Sequence, residues 1–211
     1  RILAFAALRA VGERDAYANL VLPGLLRAAE EHAAKKGGTF DRRDAALATE
    51  LVYGTLRHQG TYDAVIAACV DRPLREVDPP VLDVLALGAH QLLSTRIPTH
   101  AAVSATVELA RAVLGDGRAR FVNAVLRTII RRGPAISLPR RPPVGASLDA
   151  QVRYLSITLS HPAWLVRRWI ARVGFDAAEA WCQFNNSAPH VSVRSAGRLD
   201  ALHTRYNIPL Y

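Results

Sequence analysis

Apolar residues recur every three or four positions throughout residues 1–132 of this 211-residue chain, and segments that alternate apolar with polar residues are missing there. This spacing matches the 3.6 residues of an α-helical turn and not the two-residue period of a strand. The pattern therefore predicts an all-α domain over residues 1–132.

Glycine, proline and capping residues divide this domain into seven predicted helices. The clearest start signal is Asp78-Pro79-Pro80, where the aspartate can cap the helix and proline suits its first turn. The helix that follows is apolar nearly all round, which predicts a central, buried position. The seven predicted helices cover residues 2–11, 19–34, 39 or 41 to about 60, 61–70, 79–93, 99–114 and 118–132.

The composition changes after residue 132, because residues 133–149 contain four prolines. So many prolines exclude a helix interior or a central strand, and the segment is predicted to be a linker. Residues 150–187 are predicted to form a small second helical unit, with helices at 150–159, 162–173 and 176–184. Only residues 190–194 alternate like a strand. Since a strand cannot stand alone, residues 188–211 are predicted to be the start of a further, truncated α/β module.

Several classes of site find no support in the sequence. The histidines include no pair four residues apart and no HExxH motif, so no metal site is predicted, and each histidine is expected to be a surface or capping group. Gly115-Asp-Gly117 lacks the third glycine and the preceding strand of a dinucleotide-binding loop and is predicted to be a turn. From these residues alone, no catalytic, cofactor-binding or metal-ligating residue is predicted.

Cysteine and hydropathy patterns indicate the compartment. Cys69 and Cys182 lie far apart and are expected to be small core residues of a protein in a reducing cytosol. No stretch approaches the roughly 18 consecutive apolar residues of a membrane span, so no membrane partner is expected. We therefore predict a cytoplasmic protein.

Basic residues outnumber acidic ones by 27 to 18, which favours a polyanionic partner. At about 100° per residue, the helix at 118–132 places Val122, Val125 and Ile129 on one face and arginines on the opposite face. No acidic residue occurs from residue 118 to 141, and guanidinium groups bind phosphates well. A solvated outer face of a surface helix remains the alternative. The seven candidate RNA-binding residues are Arg118, Arg120, Arg127, Arg131, Arg132, Arg140 and Arg141.

Two segments, Leu51-Val-Tyr-Gly-Thr-Leu-Arg57 and Phe121-Val-Asn-Ala-Val-Leu-Arg127, resemble the helical RNA-binding fold named for the antitermination factor NusB. Gly54 stands in the middle of a helix, where glycine costs about 1 kcal/mol relative to alanine, and this predicts that another helix packs closely there. Asn123 lies at the edge of the apolar stripe. Its side chain either satisfies a buried backbone group, which we favour, or faces RNA.

The second unit resembles a more specific family. His161-Pro-Ala-Trp-Leu-Val-Arg-Arg-Trp169, followed by Asn185-Asn186 and Pro189, is similar to the segment that joins the NusB-like domain to the catalytic half of bacterial 16S rRNA cytosine-C5 methyltransferases of the RsmB (Sun/Fmu) family. The resemblance covers about residues 1–195. Trp164 and Trp169 are expected to pack in the core of this unit.

This resemblance implies a NusB-like helical bundle that recognises 16S ribosomal RNA, without DNA specificity, for a C-terminal catalytic domain. Members of the family transfer a methyl group from S-adenosylmethionine to C5 of a cytosine through a cysteine thiolate. The sequence contains no Pro-Cys pair and no glycine-rich cofactor loop, so the chain is expected to bind RNA without a cofactor of its own and without methylating it. Self-association, which NusB-like domains sometimes show, is not indicated. An antitermination factor and a helical protein-docking module remain alternatives.

Overall fold

The computed structural model describes residues 1–187, which contain ten α-helices and no strand. The predicted all-α class is confirmed, and the strand predicted at residues 190–194 lies outside the described residues. The helices are α1 (Ile2–Arg14), α2 (Ala18–Lys35), α3 (Arg42–Arg57), α4 (Gln59–Ala67), α5 (Pro79–Leu93), α6 (Thr99–Leu114), α7 (Asp116–Arg132), α8 (Leu148–Ile157), α9 (Ala163–Val173) and α10 (Phe175–Asn186). None of these helices is long and apolar enough to cross a lipid bilayer.

Helix α5 occupies the centre of a bundle formed by α1 to α7, as its nearly continuous apolar sequence predicts. Helices α1, α3, α4, α6 and α7 all contact it. From Val84 to Gln91 every residue of α5 is buried. The side chain of Asp78, at the N-cap position of α5, does not bond to the first turn and instead forms an ion pair with Arg118 at 2.9 Å.

The close approach predicted at Gly54 is confirmed, and the partner is a histidine of α5. A Cβ atom added at Gly54 would lie 2.2 Å from Cε1 of His90. His90 is only 1 % exposed, so the expectation that every histidine is a surface or capping group is wrong for this residue. The missing side chain at Gly54 makes room for the imidazole. A hydrogen bond also compensates for the burial of the imidazole, because Oη of Tyr62 lies 2.8 Å from Nδ1 of His90.

Helices α8, α9 and α10 surround a second, smaller apolar cluster that includes Leu155, Val166 and Cys182. Trp169 packs against this cluster as predicted. Trp164 does not, because 68 % of it is exposed, and the expectation that it lies in the core is wrong. Since α9 turns Val166 toward the cluster, Trp164 falls on the opposite face of the helix.

The smaller cluster is attached to the bundle at α4. The Thr61 hydroxyl donates a hydrogen bond to the Ile157 carbonyl at 2.9 Å, and the Thr61 amide donates to Oγ of Ser160 at 2.9 Å. Gly60 allows the contact, because a Cβ atom there would lie 2.7 Å from the Ser156 carbonyl oxygen. Beside this junction, the Thr158 hydroxyl bonds to the carbonyl of Pro139 in the proline-rich segment at 2.6 Å. The segment is therefore anchored near its middle.

Asp63 of α4 makes the stability of the fold sensitive to pH. Burial, aided by the charge of Asp83, raises the pKa of Asp63 from 3.8 to about 6. Because the folded state disfavours the ionised form, the stability that Asp63 contributes is fully present below pH ~4 and is lost as the pH rises through about 6. We expect Asp63→Asn to raise the free energy of unfolding by about 1 kcal/mol at neutral pH. This is less than the free energy that corresponds to the full pKa shift, because the carboxylate remains partly hydrated.

Urea denaturation of the wild type and Asp63→Asn at several pH values checks this prediction. The difference between the two proteins should shrink toward zero on acidification. Asp71→Asn is the matched control, because the Asp71 side chain is 89 % exposed. A pH-independent difference for Asp63→Asn would contradict the assignment of the effect to this carboxyl group.

Candidate nucleic-acid interface

Helix α7 has one buried apolar face and one exposed basic face. Val122, Val125 and Ile129 are buried, as the helical period predicts, and Leu126 joins them. This face packs against α5 and α6. The opposite face therefore points to solvent along the whole length of the helix.

Three of the seven candidate arginines lie together on that exposed face, and we call Arg120, Arg127 and Arg131 the α7 arginine stripe. Spacings of seven and four residues keep them on one side of the helix. None of them takes part in an ion pair within residues 1–187; Arg127 donates instead to Oδ1 of Asn123 at 3.1 Å, and Arg131 to Oγ1 of Thr128 at 3.3 Å. Their guanidinium groups are therefore unpaired in this part of the chain, although Glu108 lines the same groove as Arg127.

The other four candidates have different surroundings. Arg118 forms the ion pair with Asp78, and Arg132 donates to the carbonyl of Ala68 at the end of α4. Arg140 is exposed in the proline-rich segment, away from α7 in sequence. The structure thus places three of the seven in one row and leaves the others as separate positions.

Arg141 differs most from the α7 arginine stripe. Its Nε donates to Glu179 at 2.7 Å, it also pairs with Asp176, and its guanidinium lies 5.0 Å from the centre of the Phe175 ring. Both carboxylates favour its charged form and raise the pKa of Arg141. Arg141 therefore holds the proline-rich segment to α10, and its charge is largely neutralised by that contact.

A groove between α6 and α7 runs beside the stripe. Val103 and Val107 contribute apolar side chains, and the larger polar side chains are His100, Glu108, Arg111, Asn123 and Arg127. Within residues 1–187, Asn123 satisfies no buried backbone group, so the role we favoured from the sequence is not observed; its carboxamide orients Arg127 instead. His100 was missed by sequence reasoning, since it belongs to no motif and only the packing of α6 on α7 brings it to the groove.

The described residues form neither a dinucleotide-binding loop at Gly115 and Gly117 nor a cluster of three metal ligands. Gly115 and Gly117 join the end of α6 to the start of α7, with a helix before them instead of the strand that a nucleotide-binding loop requires. Over residues 1–187, no three metal-ligating side chains come together. Burial raises the pKa of Cys182 to about 11 and also raises that of Cys69, which disfavours a nucleophilic thiolate at either position. We therefore assign no step of a methyl transfer to these residues.

Residues 1–131 match the model of the NusB family. The chain is 44 % identical over 182 residues to a Mycobacterium tuberculosis (strain H37Rv) protein named "Putative methyltransferase Rv1407", covering 85 % of this chain and 37 % of that protein. It is 33 % identical over 195 residues to the "Probable ribosomal RNA small subunit methyltransferase B" of Bacillus subtilis, covering 92 % of this chain and 40 % of that protein. The "Ribosomal RNA small subunit methyltransferase B" of Pseudomonas putida is 31 % identical to this chain over 194 residues, covering 92 % of this chain and 39 % of that protein.

The matched region thus spans about two fifths of the length of each of these curated relatives. The alignments extend beyond the 131 residues of the NusB match. The likeness to these relatives therefore includes residues that follow the NusB-like bundle.

Proposed function

Because the chain belongs to the NusB family, we propose that it is the RNA-recognition part of a ribosomal RNA methyltransferase and that the α7 arginine stripe contacts the phosphates of 16S ribosomal RNA. The predicted NusB-like resemblance is confirmed by the family match and by the relatives named methyltransferase B. RNA binding, the 16S target and a cytoplasmic location are parts of the proposal.

The observation that carries the proposal is that no arginine of the stripe forms an ion pair within residues 1–187, although Asp116 precedes Arg120 by one turn and Glu108 lines the groove beside Arg127. Surface arginines commonly pair with nearby acids, as Arg111 does with Asp116 at 2.9 Å. Arg120, Arg127 and Arg131 form no such pair within the described residues and lie in a row along one helix. Phosphate groups of a nucleic-acid backbone would supply the missing negative charges.

Under this proposal the chain binds RNA and does not itself transfer a methyl group. Neither cysteine follows a proline, and Gly115 and Gly117 lie at the junction of α6 and α7. Methyl transfer, for which the relatives are named, would require residues that the described part does not contain. Incubating the chain with radiolabelled S-adenosylmethionine and 16S ribosomal RNA is expected to leave the RNA unlabelled.

Changing all three arginines of the stripe to glutamine is expected to weaken RNA binding strongly while the fold is preserved, since their side chains lie outside the core. If each arginine neutralises one phosphate, the slope of log affinity against log salt becomes shallower by about 2, which corresponds to roughly 100-fold weaker binding at ~0.1 M salt. Fluorescence anisotropy with a labelled 16S fragment, repeated over a salt series, measures both quantities.

A variant with Arg14, Arg27 and Arg42 changed to glutamine is the matched control, because it removes the same charge from exposed positions outside α7 that form no ion pair within residues 1–187. It should retain most of the affinity. Equal losses in the two variants would indicate a general charge effect and contradict the assigned surface. Unchanged RNA binding in the stripe variant would favour the protein-docking alternative for this face.

A further inference from the structure

We propose that the exposed face of α9 is a second RNA-contacting surface, on which Trp164 stacks against an unpaired base while Arg168 and Arg172 hold the adjacent phosphates. The inference rests on the proposed RNA-binding function and adds to it that the RNA bound at α9 is single-stranded. Sequence reasoning missed this face because it assigned Trp164 to the core.

The three side chains share one side of α9. Trp164 and Arg168 are four residues apart, as are Arg168 and Arg172, so they lie one above another along the helix. All three are exposed, and Trp164 is one of the largest exposed apolar side chains of the described part. Val166 and Ile170 face the other way, toward α8 and α10. The apolar side of α9 therefore packs against the cluster through Val166 and Ile170, without Trp164.

The charge of this face is positive and not neutralised in the part of the chain that the structure describes. Helix α9 contains no acidic residue. Arg167, at the edge of the face, is paired with Asp149 at 2.8 Å, whereas the ion pairs of residues 1–187 include neither Arg168 nor Arg172. Two free guanidinium groups beside an exposed indole match an anionic ligand that also has flat aromatic parts.

Single-stranded RNA fits this combination better than other anionic partners. Its bases are unstacked and available to an aromatic ring, whereas the bases of a duplex are already paired and stacked. Proteins that bind single strands use arginines along the backbone and aromatic rings under the bases. An acidic protein segment would satisfy the arginines but would leave the Trp164 ring without a planar partner.

The test uses the 211-residue chain and two labelled oligonucleotides of equal length, a single-stranded RNA of mixed sequence and the same backbone without bases. For the RNA, Trp164→Ala is expected to raise the Kd roughly 10-fold, and Trp164→Phe to retain most of the affinity because phenylalanine also stacks. For the abasic strand, Trp164→Ala is expected to change the Kd less than about 2-fold. Changing Arg168 and Arg172 to glutamine should make the salt slope shallower by about 1.4 for both strands.

Phe184→Ala is the matched control, because Phe184 is 75 % exposed on α10, a helix that contains no arginine. It should leave both dissociation constants unchanged. The inference is overturned if Trp164→Ala leaves the Kd for RNA unchanged, which would assign the face to a protein contact. It is also overturned if Trp164→Ala raises the Kd for the RNA and the Kd for the abasic strand by the same factor. Circular dichroism of Trp164→Ala shows whether any loss is due to unfolding; its spectrum should indicate wild-type helicity, since Trp164 lies outside the core.

This outcome is separable from that of the proposed function. If the stripe variant loses affinity while Trp164→Ala does not, the second surface fails and the α7 surface stands. If Trp164→Ala loses affinity for the base-containing strand alone while the stripe variant binds normally, the α9 inference stands and the assignment to α7 fails. A wild-type chain that binds neither oligonucleotide contradicts both.

Discussion

Replacing Gly54 by alanine is expected to lower the free energy of unfolding by about 3 kcal/mol. The new methyl group would lie 2.2 Å from Cε1 and 2.3 Å from Nε2 of His90, far inside van der Waals contact. The imidazole cannot move aside easily, because its Nδ1 is bonded to Tyr62 and it is enclosed by the bundle core. Helices α3 and α5 would therefore have to separate. Urea denaturation followed by circular dichroism measures the loss.

Gly24→Ala is the control, since Gly24 lies inside α2 and an added Cβ meets no atom within 4 Å. Alanine there should stabilise the protein by up to ~1 kcal/mol, because it favours the helix without a clash. The clash can be tested further in a His90→Ala background, where Gly54→Ala should cost clearly less than in the wild type. Additive effects of the two substitutions would contradict the proposed contact.

Glu179→Ala is expected to destabilise the smaller cluster by about 3 kcal/mol. Glu179 is only 7 % exposed, and its carboxylate accepts hydrogen bonds from Nε of Arg141 at 2.7 Å and from Oη of Tyr154 at 2.9 Å. Removing it leaves the buried Tyr154 hydroxyl without an acceptor and frees Arg141 from α10. The cluster has few buried side chains, so we expect it to unfold before the bundle.

Asp176→Ala is the matched control, because Asp176 binds the same arginine with a side chain that is 87 % exposed. Its loss should change the free energy of unfolding by less than about 0.5 kcal/mol. Native-state hydrogen exchange distinguishes the two clusters, since Glu179→Ala should accelerate exchange in α8 and α10 more than in α5. Equal effects of both substitutions would contradict the role assigned to burial.

Features that depend on helical periodicity could be predicted from the sequence. The buried face of α7 and the exposed side of Arg120, Arg127 and Arg131 follow from a repeat of 3.6 residues. The closeness of a second helix to Gly54 follows from the cost of glycine within a helix. The same periodicity places Trp164 on the face of Arg168, about 40° away at ~100° per residue, whereas the general preference of tryptophan for burial favours the core, and here periodicity is the better guide.

Contacts between residues distant in the sequence could not be predicted in this way. The stretch from residue 118 to 141 contains no acid, and local charge counting therefore treated all seven arginines alike. In the folded chain, Asp78 reaches Arg118 from α5, and Glu179 reaches Arg141 from α10. The burial of His90 likewise depends on Tyr62, which α4 contributes. Only the tertiary structure separates the arginines with carboxylate partners from the three in the stripe.

The junction at Thr61 determines how an RNA strand could use both proposed surfaces. If the two clusters were joined only by a flexible segment, their separation would fluctuate, and a strand bound to one would meet the other at an effective concentration set by the length of that segment. The hydrogen bonds from Thr61 to Ile157 and from Thr158 to Pro139 instead restrict this separation. If both proposed surfaces bind RNA, this restricted separation predicts a length threshold: a strand gains affinity from the second surface only when it is long enough to reach from α7 to α9.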